Sequence, residues 1–166
     1  MLINSNNNNN QSLINYNKLI QNKKILITGG AGFVGSNLAK RLLVVGDYLK
    51  INTSRQFSLL ETAISSFDKP VNITFKPHPA GSSDVSNYSH ISFSLTDKPL
   101  EELFAETDVV FSSISTSAGI DALFAALPVV TIKDGTELNL SPLRGMSRVF
   151  FASTGKELAN FINKVD

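Results

Sequence analysis

The sequence of 166 residues contains no cysteine and only two histidines, His78 and His90. The absence of cysteine excludes disulfide bonds and thiolate metal sites, and two histidines argue against a histidine-based metal centre. No apolar run approaches the roughly 20 residues that span a bilayer. The N-terminus is rich in asparagine and lacks the charged and apolar regions of a signal peptide, so we expect a cytoplasmic protein.

A strong charge of either sign is also missing. The formal net charge is +1, with 17% charged and 42% hydrophobic residues. This ordinary balance, without a basic cluster, gives no reason to expect a nucleic-acid partner. The length suits one domain with its own core and is too short for two large ones.

The chain begins with a polar, low-complexity segment. Residues 1–21 contain a run of asparagines and few apolar side chains. Such a segment buries too little apolar surface to offset the loss of chain entropy on folding. We therefore expect residues 1–21 to be disordered.

A glycine-rich turn follows. The buried-strand run Ile25–Ile27 precedes the turn, and the helix-compatible residues Asn37–Leu43 come after it. A strand, G-x-G-x-x-G and a helix form the dinucleotide fingerprint, in which the glycines allow a tight turn and close approach of a pyrophosphate. The candidate dinucleotide-binding residues are Gly29, Gly30, Gly32, Phe33, Val34 and Gly35.

The segment TGGAGFVGSNLAKRLL resembles the N-terminal sequence of the extended short-chain dehydrogenases, the NAD-dependent epimerase/dehydratase family. This resemblance implies an NAD(P) cofactor and covers residues 24–46. The family would place an acidic ribose-binding residue near position 53, where this chain has Thr53. It would also supply a catalytic Tyr-x-x-x-Lys, and none of Tyr16, Tyr48 and Tyr88 has a lysine four positions later. Epimerase or dehydratase chemistry is therefore not supported by the catalytic residues.

The most informative stretch runs from Asp108 to Ile132. Two buried-strand runs, Asp108–Phe111 and Pro128–Ile132, enclose a polar turn and a short helix. The turn, Ser112–Gly119, would leave backbone N–H groups open at a helix N-terminus, where a phosphate can bind. Its residues would equally serve as simple helix caps. The helical face predicted to pack on the sheet consists of Ile120, Leu123, Phe124 and Leu127.

The remaining segments predict further strands. Leu42–Val45 fits either a strand or the end of the preceding helix. Val71–Phe75 reads as a strand that leads into Lys76–Pro79, His90–Phe93 as a short strand, and Val149–Ala152 as the last one.

Three more helices are predicted. Thr53 and Gln56 form a capping-box pattern ahead of a helix whose apolar face is Phe57, Leu60, Ile64 and Phe67. Pro99 starts a second helix, with acidic residues in its first turn. Thr154 and Glu157 form another capping box, for a C-terminal helix with the inner face Leu158, Phe161, Ile162 and Val165.

Strands that alternate with helices at this spacing predict parallel βαβ units. The expected fold is a Rossmann-like α/β domain, a doubly wound parallel sheet with helices on both faces. Ligands of such sheets bind beyond the carboxyl ends of the strands. Both Lys76–Pro79 and Ser112–Gly119 follow strands, so we expect both at that edge.

Residues 42–166 resemble the C-terminal, nucleotide-binding half of GT-B type glycosyltransferases. The segment KPHP is similar to the His-Pro signature of bacterial sialyltransferases and capsule transferases, and SSISTSAGIDAL followed by ALPVV is similar to their turn and helix. LNLSPLRG, residues 138–145, resembles surface carbohydrate biosynthesis proteins.

This second resemblance implies a nucleotide-sugar donor and assigns roles. His78 would be the catalytic residue, contacting the donor phosphate or assisting the leaving group, and Lys76 would add positive charge. Asp121, seven positions before Pro128, would accept from ribose hydroxyls, although glutamate is commoner there. The phosphate oxygens would be held by Ser115, Thr116, Ser117 and Gly119.

Each of these residues also has an ordinary structural explanation. His78, between two prolines, would simply be part of an ordered turn. Asp121 would be an acidic residue that favours the dipole of a helix N-terminus. Lys76 would be a solvated charge at a strand end.

We interpret the chain as a fusion of an epimerase-like segment, residues 22–41, with a nucleotide-binding domain, residues 42–166. Three functions remain open. The first is a nucleotide-sugar-binding, glycosyltransferase-like domain of surface polysaccharide biosynthesis that requires an acceptor-binding partner domain or chain. The second is an NAD(P)-binding fragment of a sugar-nucleotide epimerase/dehydratase. The third is an inactive or interaction-only remnant.

Overall fold

A computed structural model describes residues 39–81, 88, 90–133, 139 and 141–165. The predicted tail at residues 1–21 and the glycine turn at residues 29–35 lie outside the described residues. Most of two predicted loops, residues 82–87 and 134–138, lies outside them as well.

The described residues form one six-stranded sheet in which every pair of neighbouring strands is parallel. The order across the sheet is β3-β2-β1-β4-β5-β6. The strands are β1 (Lys40–Val45), β2 (Val71–Lys76), β3 (Ser94–Leu95), β4 (Val109–Ser112), β5 (Val129–Ile132) and β6 (Val149–Ala152). This confirms the predicted Rossmann-like, doubly wound fold. The strand order reverses between β1 and β4, which is where such sheets bind ligands.

Helices cover both faces of the sheet. They are α1 (Lys50–Ala63), which continues into a 3-10 turn (Ile64–Ser66), α2 (Leu100–Phe104), α3 (Ala118–Phe124) and α4 (Gly155–Lys164). Leu42 and Val44 of β1 pack in one core with α1 and α4, whereas Leu43 and Val45 pack in a second core with α2 and α3. No helix in these described ranges has the length and apolarity needed to cross a membrane.

Leu42–Val45 is a strand, which settles the open alternative. The helix expected over Asn37–Leu43 is wrong from Lys40 onward, because Lys40–Val45 forms the central strand β1. Leu42 pairs with Ile73 of β2 on one side and with Val109 of β4 on the other. A strand paired on both edges and covered on both faces has a continuous apolar sequence, which local pattern cannot separate from a buried helix.

The amino ends of β1 and β4 are joined by an ion pair. The Arg41 guanidinium lies 2.6 Å from Asp108 Oδ1, and the Arg41 backbone N–H donates to Asp108 Oδ2 at 2.7 Å. The backbone N–H of Asp108 donates in turn to the Arg41 carbonyl at 2.9 Å. Burial raises the pKa of Asp108, but the hydrogen bonds and charge of Arg41 outweigh burial and lower it.

The capping box predicted at Thr53 and Gln56 is wrong. Helix α1 already begins at Lys50, with Leu49 as its N-cap, so Thr53 and Gln56 lie inside the helix and are buried. The Thr53 hydroxyl accepts from the backbone N–H of Asp47 at 2.9 Å. The Gln56 amide donates to the carbonyl of Val45 at 3.0 Å and to that of Phe111 at 3.2 Å. Both side chains therefore connect α1 by hydrogen bonds to the carboxyl end of the sheet.

The short edge strand and the inner face of α3 differ from the predictions. His90–Phe93 is not a strand; the short edge strand is Ser94–Leu95. In α3 the predicted inner residue Phe124 is 87% exposed, and the small residues Ala118 and Ala122 lie buried against the sheet. The helix ends at Phe124 after seven residues. The predicted helical face therefore does not continue beyond this side chain, which remains in solvent.

The C-terminal helix forms as predicted. The Thr154 hydroxyl accepts from the Glu157 N–H at 3.2 Å, and the Glu157 carboxylate accepts from the Thr154 N–H at 3.1 Å. Leu158 and Ile162 are buried. Phe161 stacks on Phe150 of β6, with ring centroids 5.1 Å apart.

Gly155→Ala should lower the free energy of unfolding by about 2 kcal/mol, the usual cost of an overpacked core. A methyl group at this position would lie 2.8 Å from the Ala63 backbone nitrogen and would collide with the Thr62 side chain, so α1 and α4 would have to separate. Urea unfolding measures the change. Asn160→Ala, at an exposed position of the same helix, is the matched control and should leave stability within about 0.5 kcal/mol. Equal effects of the two substitutions would contradict close packing at Gly155.

Candidate functional site

Three loops meet at the carboxyl end of the sheet. The first, Gly46–Leu49, follows β1; the second, Pro77–Gly81, follows β2; and the third, Ser113–Ser117, follows β4. Strand β1 lies between β2 and β4, so the first loop separates the other two. The predicted convergence of Lys76–Pro79 and the Ser112–Gly119 turn on one edge is confirmed by this topology.

The centre of this region is Asp47, which the sequence analysis did not select. Its side chain is completely buried. Its carboxylate accepts from the Leu49 N–H at 2.8 Å, the Asn52 amide at 3.2 Å and the Ser115 hydroxyl at 2.7 Å, and also from the Ser113 hydroxyl. Asp47 thereby joins the loop after β1, the first turn of α1 and the turn after β4.

The hydrogen bonds keep Asp47 ionised. Burial alone would raise the pKa of this carboxyl group. The hydrogen bonds from Ser113, the Leu49 N–H, Ser115 and Asn52 outweigh burial and lower the pKa below its ordinary value. A charge therefore lies at the point where the strand order reverses.

His78 lies on the neighbouring loop with its ring oriented by the backbone. The Ala80 N–H donates to His78 Nδ1 at 3.1 Å, and the Gly81 N–H donates to the His78 carbonyl at 2.9 Å. Because Nδ1 accepts, the neutral ring carries its proton on Nε2, where it is available as a donor. The rings of Tyr48 and His78 meet edge to face, with their centroids 6.2 Å apart.

The loops that carry Asp47 and His78 are in direct contact. A side chain at Gly81 would place its Cβ 2.7 Å from the Asp47 carbonyl oxygen, and one at Gly46 would approach the His78 backbone nitrogen to 3.4 Å. The Gly46 N–H also donates to the Lys76 carbonyl at 2.9 Å. Glycine at these positions allows the approach.

Lys76 directs its ammonium group toward the edge of the sheet. Its Nζ donates to the carbonyl of Asp97 at 3.2 Å, beyond the end of β3. Strand β3 lies on the side of β2 opposite to β1. The role of Lys76 at a ligand phosphate stays a prediction.

The other residues predicted in the turn after β4 have different surroundings. Gly119 is buried, and a methyl group there would lie 2.7 Å from Leu143 Cδ1 and 2.9 Å from Ser112 Oγ, so close packing already explains this glycine. The Thr116 hydroxyl is buried without a hydrogen-bond partner among the described residues. The Ser117 carbonyl accepts from the N–H of Ile120 at 2.8 Å and from that of Asp121 at 3.1 Å.

Asp121 is exposed in the first turn of α3. There its charge favours the helix dipole, as the ordinary structural explanation expects. It follows β4, whereas His78 follows β2, and the loop of β1 lies between them. The ligand role of Asp121 remains a prediction.

The loop between β1 and α1 does not suit the pyrophosphate of a dinucleotide. In the dinucleotide fold the pyrophosphate lies against free N–H groups at the start of the first helix. Here the Asp47 carboxylate accepts the Leu49 N–H in front of α1, which places a negative charge at that position. The glycines at residues 29–35, which carry the fingerprint, lie outside the described residues.

The comparisons with known proteins agree with the predicted resemblance to the epimerase/dehydratase family and, at the level of the fold, with the predicted resemblance to glycosyltransferases. The model of the NAD dependent epimerase/dehydratase family matches residues 25–160. Protein CapI from Staphylococcus aureus is 36% identical over 106 residues, which are 60% of this chain and 30% of CapI. The crystal structure of the glycosyltransferase SnogD from Streptomyces nogalater matches with a TM-score of 0.57 and 18% identity, over 76% of this chain and 35% of that one. This chain thus spans about a third of the length of each.

Asp47→Asn should lower the free energy of unfolding by about 2–3 kcal/mol at pH 7, since one charge-assisted acceptor becomes a donor facing other donors. Because folding lowers the pKa of Asp47, the contribution of its charge is complete above the unfolded value of about 4 and is lost as the pH falls through the folded value. In urea unfolding the stability difference between the two proteins should therefore become smaller as the pH is lowered from 7 to about 3. Asp97→Asn, at an exposed carboxylate, is the control. A difference that is as large at pH 3 as at pH 7 would contradict the role of the charge.

Proposed function

The chain belongs to the NAD dependent epimerase/dehydratase family, and from this premise we propose that its described domain binds a nucleotide sugar at the carboxyl end of the sheet. The nucleotide would lie across the loops that follow β1, β2 and β4. We further propose that the domain serves glycosyl transfer in surface polysaccharide biosynthesis and is incomplete without an acceptor-binding domain.

The observation that carries this proposal is the junction formed by Asp47. Its carboxylate holds together the loop after β1 and the turn after β4, at the position where open parallel sheets bind ligands. A buried carboxylate with four hydrogen-bond donors is costly to build and rigidifies what it joins. Such rigidity suits a preorganised ligand site.

His78 would supply the contact with phosphate. Its Nδ1 is occupied by the Ala80 N–H, so its Nε2–H group is the donor left for an anionic oxygen. Donation to a departing nucleotide phosphate would neutralise developing charge in the transition state.

The position of strand β1 is one ground on which we propose the transferase function first. Within the described part of the chain, the sheet runs from Lys40–Val45 to Val149–Ala152, as the likeness to the nucleotide-binding half of GT-B enzymes predicts for residues 42–166. The structural similarity to a glycosyltransferase over 76% of the chain agrees with this arrangement of strands.

A covering domain would explain the exposed apolar side chains beside the site. Tyr48, Leu49 and Ile51 are 53%, 43% and 58% exposed, and they border Asp47 and the first turn of α1. An acceptor-binding domain or partner chain that closes over the nucleotide would bury them.

The alternative proposal is an NAD(P)-binding fragment of an epimerase or dehydratase. Its support is the family match from residue 25 onward, which includes the glycines of the turn. The absence of Tyr-x-x-x-Lys from the sequence limits this alternative to cofactor binding. A remnant that only mediates interactions would bind neither class of ligand.

His78→Ala should weaken binding of a cytidine or uridine diphosphate compound by roughly 10- to 100-fold, the value of one hydrogen bond to a charged group. Isothermal titration against CMP-, CDP- and UDP-compounds measures it. The matched control is His90→Ala, since His90 pairs with Glu61 at 3.0 Å and lines a groove near the amino end of β2. Nucleotide affinity that is equal in both variants would refute the role of His78.

Gly32→Val tests the alternative. If the glycine turn holds a dinucleotide, a branched side chain there should weaken NAD(H) or NADP(H) binding by at least about tenfold. Ala31→Val, at the neighbouring non-glycine position, should have a smaller effect. Titration that shows no dinucleotide binding to the unsubstituted protein would exclude this function.

A further inference from the structure

We propose that Asn52 and Ser115 form an acceptor pair that reads the hydroxyl groups of the ribose or sugar, and that this part of the site excludes phosphate. The inference rests on the proposed function and assigns an orientation to the bound nucleotide. The hydrogen-bond donors and acceptors around Asp47 determine this orientation.

The direction of each hydrogen bond is fixed by the buried carboxylate. An ionised carboxylate only accepts, so every group that faces Asp47 must donate. The Ser115 hydroxyl therefore points its hydrogen at Asp47 Oδ2, at 2.7 Å. For the same reason Asn52 turns its NH2 group, and not its carbonyl, toward Asp47 Oδ2.

The donors of Asn52 are then exhausted. Its NH2 group has two hydrogens; Asp47 Oδ2 takes one at 3.2 Å and Ser115 Oγ the other at 3.0 Å. The amide oxygen must point away from Asp47. Ser115 Oγ donates once, accepts once and keeps one lone pair.

What remains for a ligand is therefore a set of acceptors. Ser115 is exposed and Asn52 half-buried, so the Asn52 oxygen and the free lone pair of Ser115 are within reach of a bound molecule. Ser113 adds no donor, because its hydroxyl is buried, donates to Asp47 and accepts from the Ser115 N–H at 3.3 Å.

A phosphate is the wrong ligand for this surface. Its oxygens are acceptors with negative charge, and they would face two acceptors with the Asp47 carboxylate directly behind Ser115. A sugar hydroxyl donates and is neutral, so it matches the pair. The hydroxyl of Ser115 would have to leave Asp47 to fulfil the phosphate role predicted from the sequence.

The two parts of the site would then bind different groups of one nucleotide, its phosphate and its ribose hydroxyls. Phosphate would lie at His78, after β2, and hydroxyls would lie at Asn52 and Ser115, between β1 and β4. Neighbouring strands are about 4.8 Å apart, so the two positions are separated by one to two strand spacings. The 5′-phosphate and the 2′- and 3′-hydroxyls of one nucleotide leave the same ribose ring, and one molecule can reach both.

The test compares CDP and UDP with their 2′-deoxy and 3′-deoxy forms by isothermal titration, with inorganic pyrophosphate as a probe that has no ribose. The ribonucleotide should bind on the order of fivefold more tightly than at least one deoxy form, as expected for one neutral hydrogen bond. In Ser115→Ala and Asn52→Ala this ratio should approach one, while pyrophosphate binding stays unchanged. Ser65→Ala and Asn160→Ala, at exposed positions away from the carboxyl-end loops, should retain the full ratio.

Three results would overturn the inference. The first is equal binding of the ribo and deoxy forms by the unsubstituted protein, a measurement that does not depend on the folding of any variant. This result would overturn only the inference and would leave the proposed function intact. Loss of pyrophosphate binding in Ser115→Ala, in a variant with an unchanged thermal unfolding curve, would show that Ser115 holds phosphate instead. Absence of binding by every nucleotide and by pyrophosphate would overturn this inference together with the proposed function.

Discussion

The carboxyl end of this sheet is organised by the need to satisfy one buried negative charge. Asp47 is completely inaccessible to solvent, and an unpaired carboxylate in that position would be prohibitively costly. The chain supplies donors from the first turn of α1 and from the turn after β4. The positions of both segments relative to β1 follow from this requirement, and the surface offered to a ligand follows from the direction of the donated protons.

Two buried polar side chains of α1 add to the same construction. Thr53 accepts from the backbone of Asp47, and Gln56 donates to carbonyls at the ends of β1 and β4. Gln56 is completely buried, so without these bonds its NH2 group would lack a partner where water does not reach, which costs free energy. Helix α1 is thus held by directional bonds as well as by apolar packing, and its first turn presents Asn52 at a fixed place.

The sequence predicted the fold better than the site, for a physical reason. Strands β5 and β6 are short runs of mainly apolar residues, and β2 alternates apolar with polar residues. The Thr154–Glu157 box caps a helix. Each of these patterns is a property of neighbouring residues. The pattern at Thr53 and Gln56 is similar, yet the helix starts before it, because Asp47 and the ends of two strands engage those side chains. The partners of Asp47 lie 66 and 68 positions away in Ser113 and Ser115. Local sequence patterns cannot detect an interaction that exists only after β1 and β4 have paired. A local signal is nevertheless present, because Asp47 is an acidic residue two positions after the end of an apolar central strand.

The ion pair of Arg41 with Asp108 and the hydrogen bonds of Asp47 hold opposite ends of the same two strands. The two strands at the point of reversed order are joined by a carboxylate at each end: Asp108 at the start and Asp47 at the finish. A slip of β1 along β4 by one residue would break both attachments and would turn the side chains of β1 to the opposite face of the sheet. The pairing of β1 with β4 is therefore rigid. Any conformational change that accompanies ligand binding must occur in the loops at the carboxyl end of the sheet.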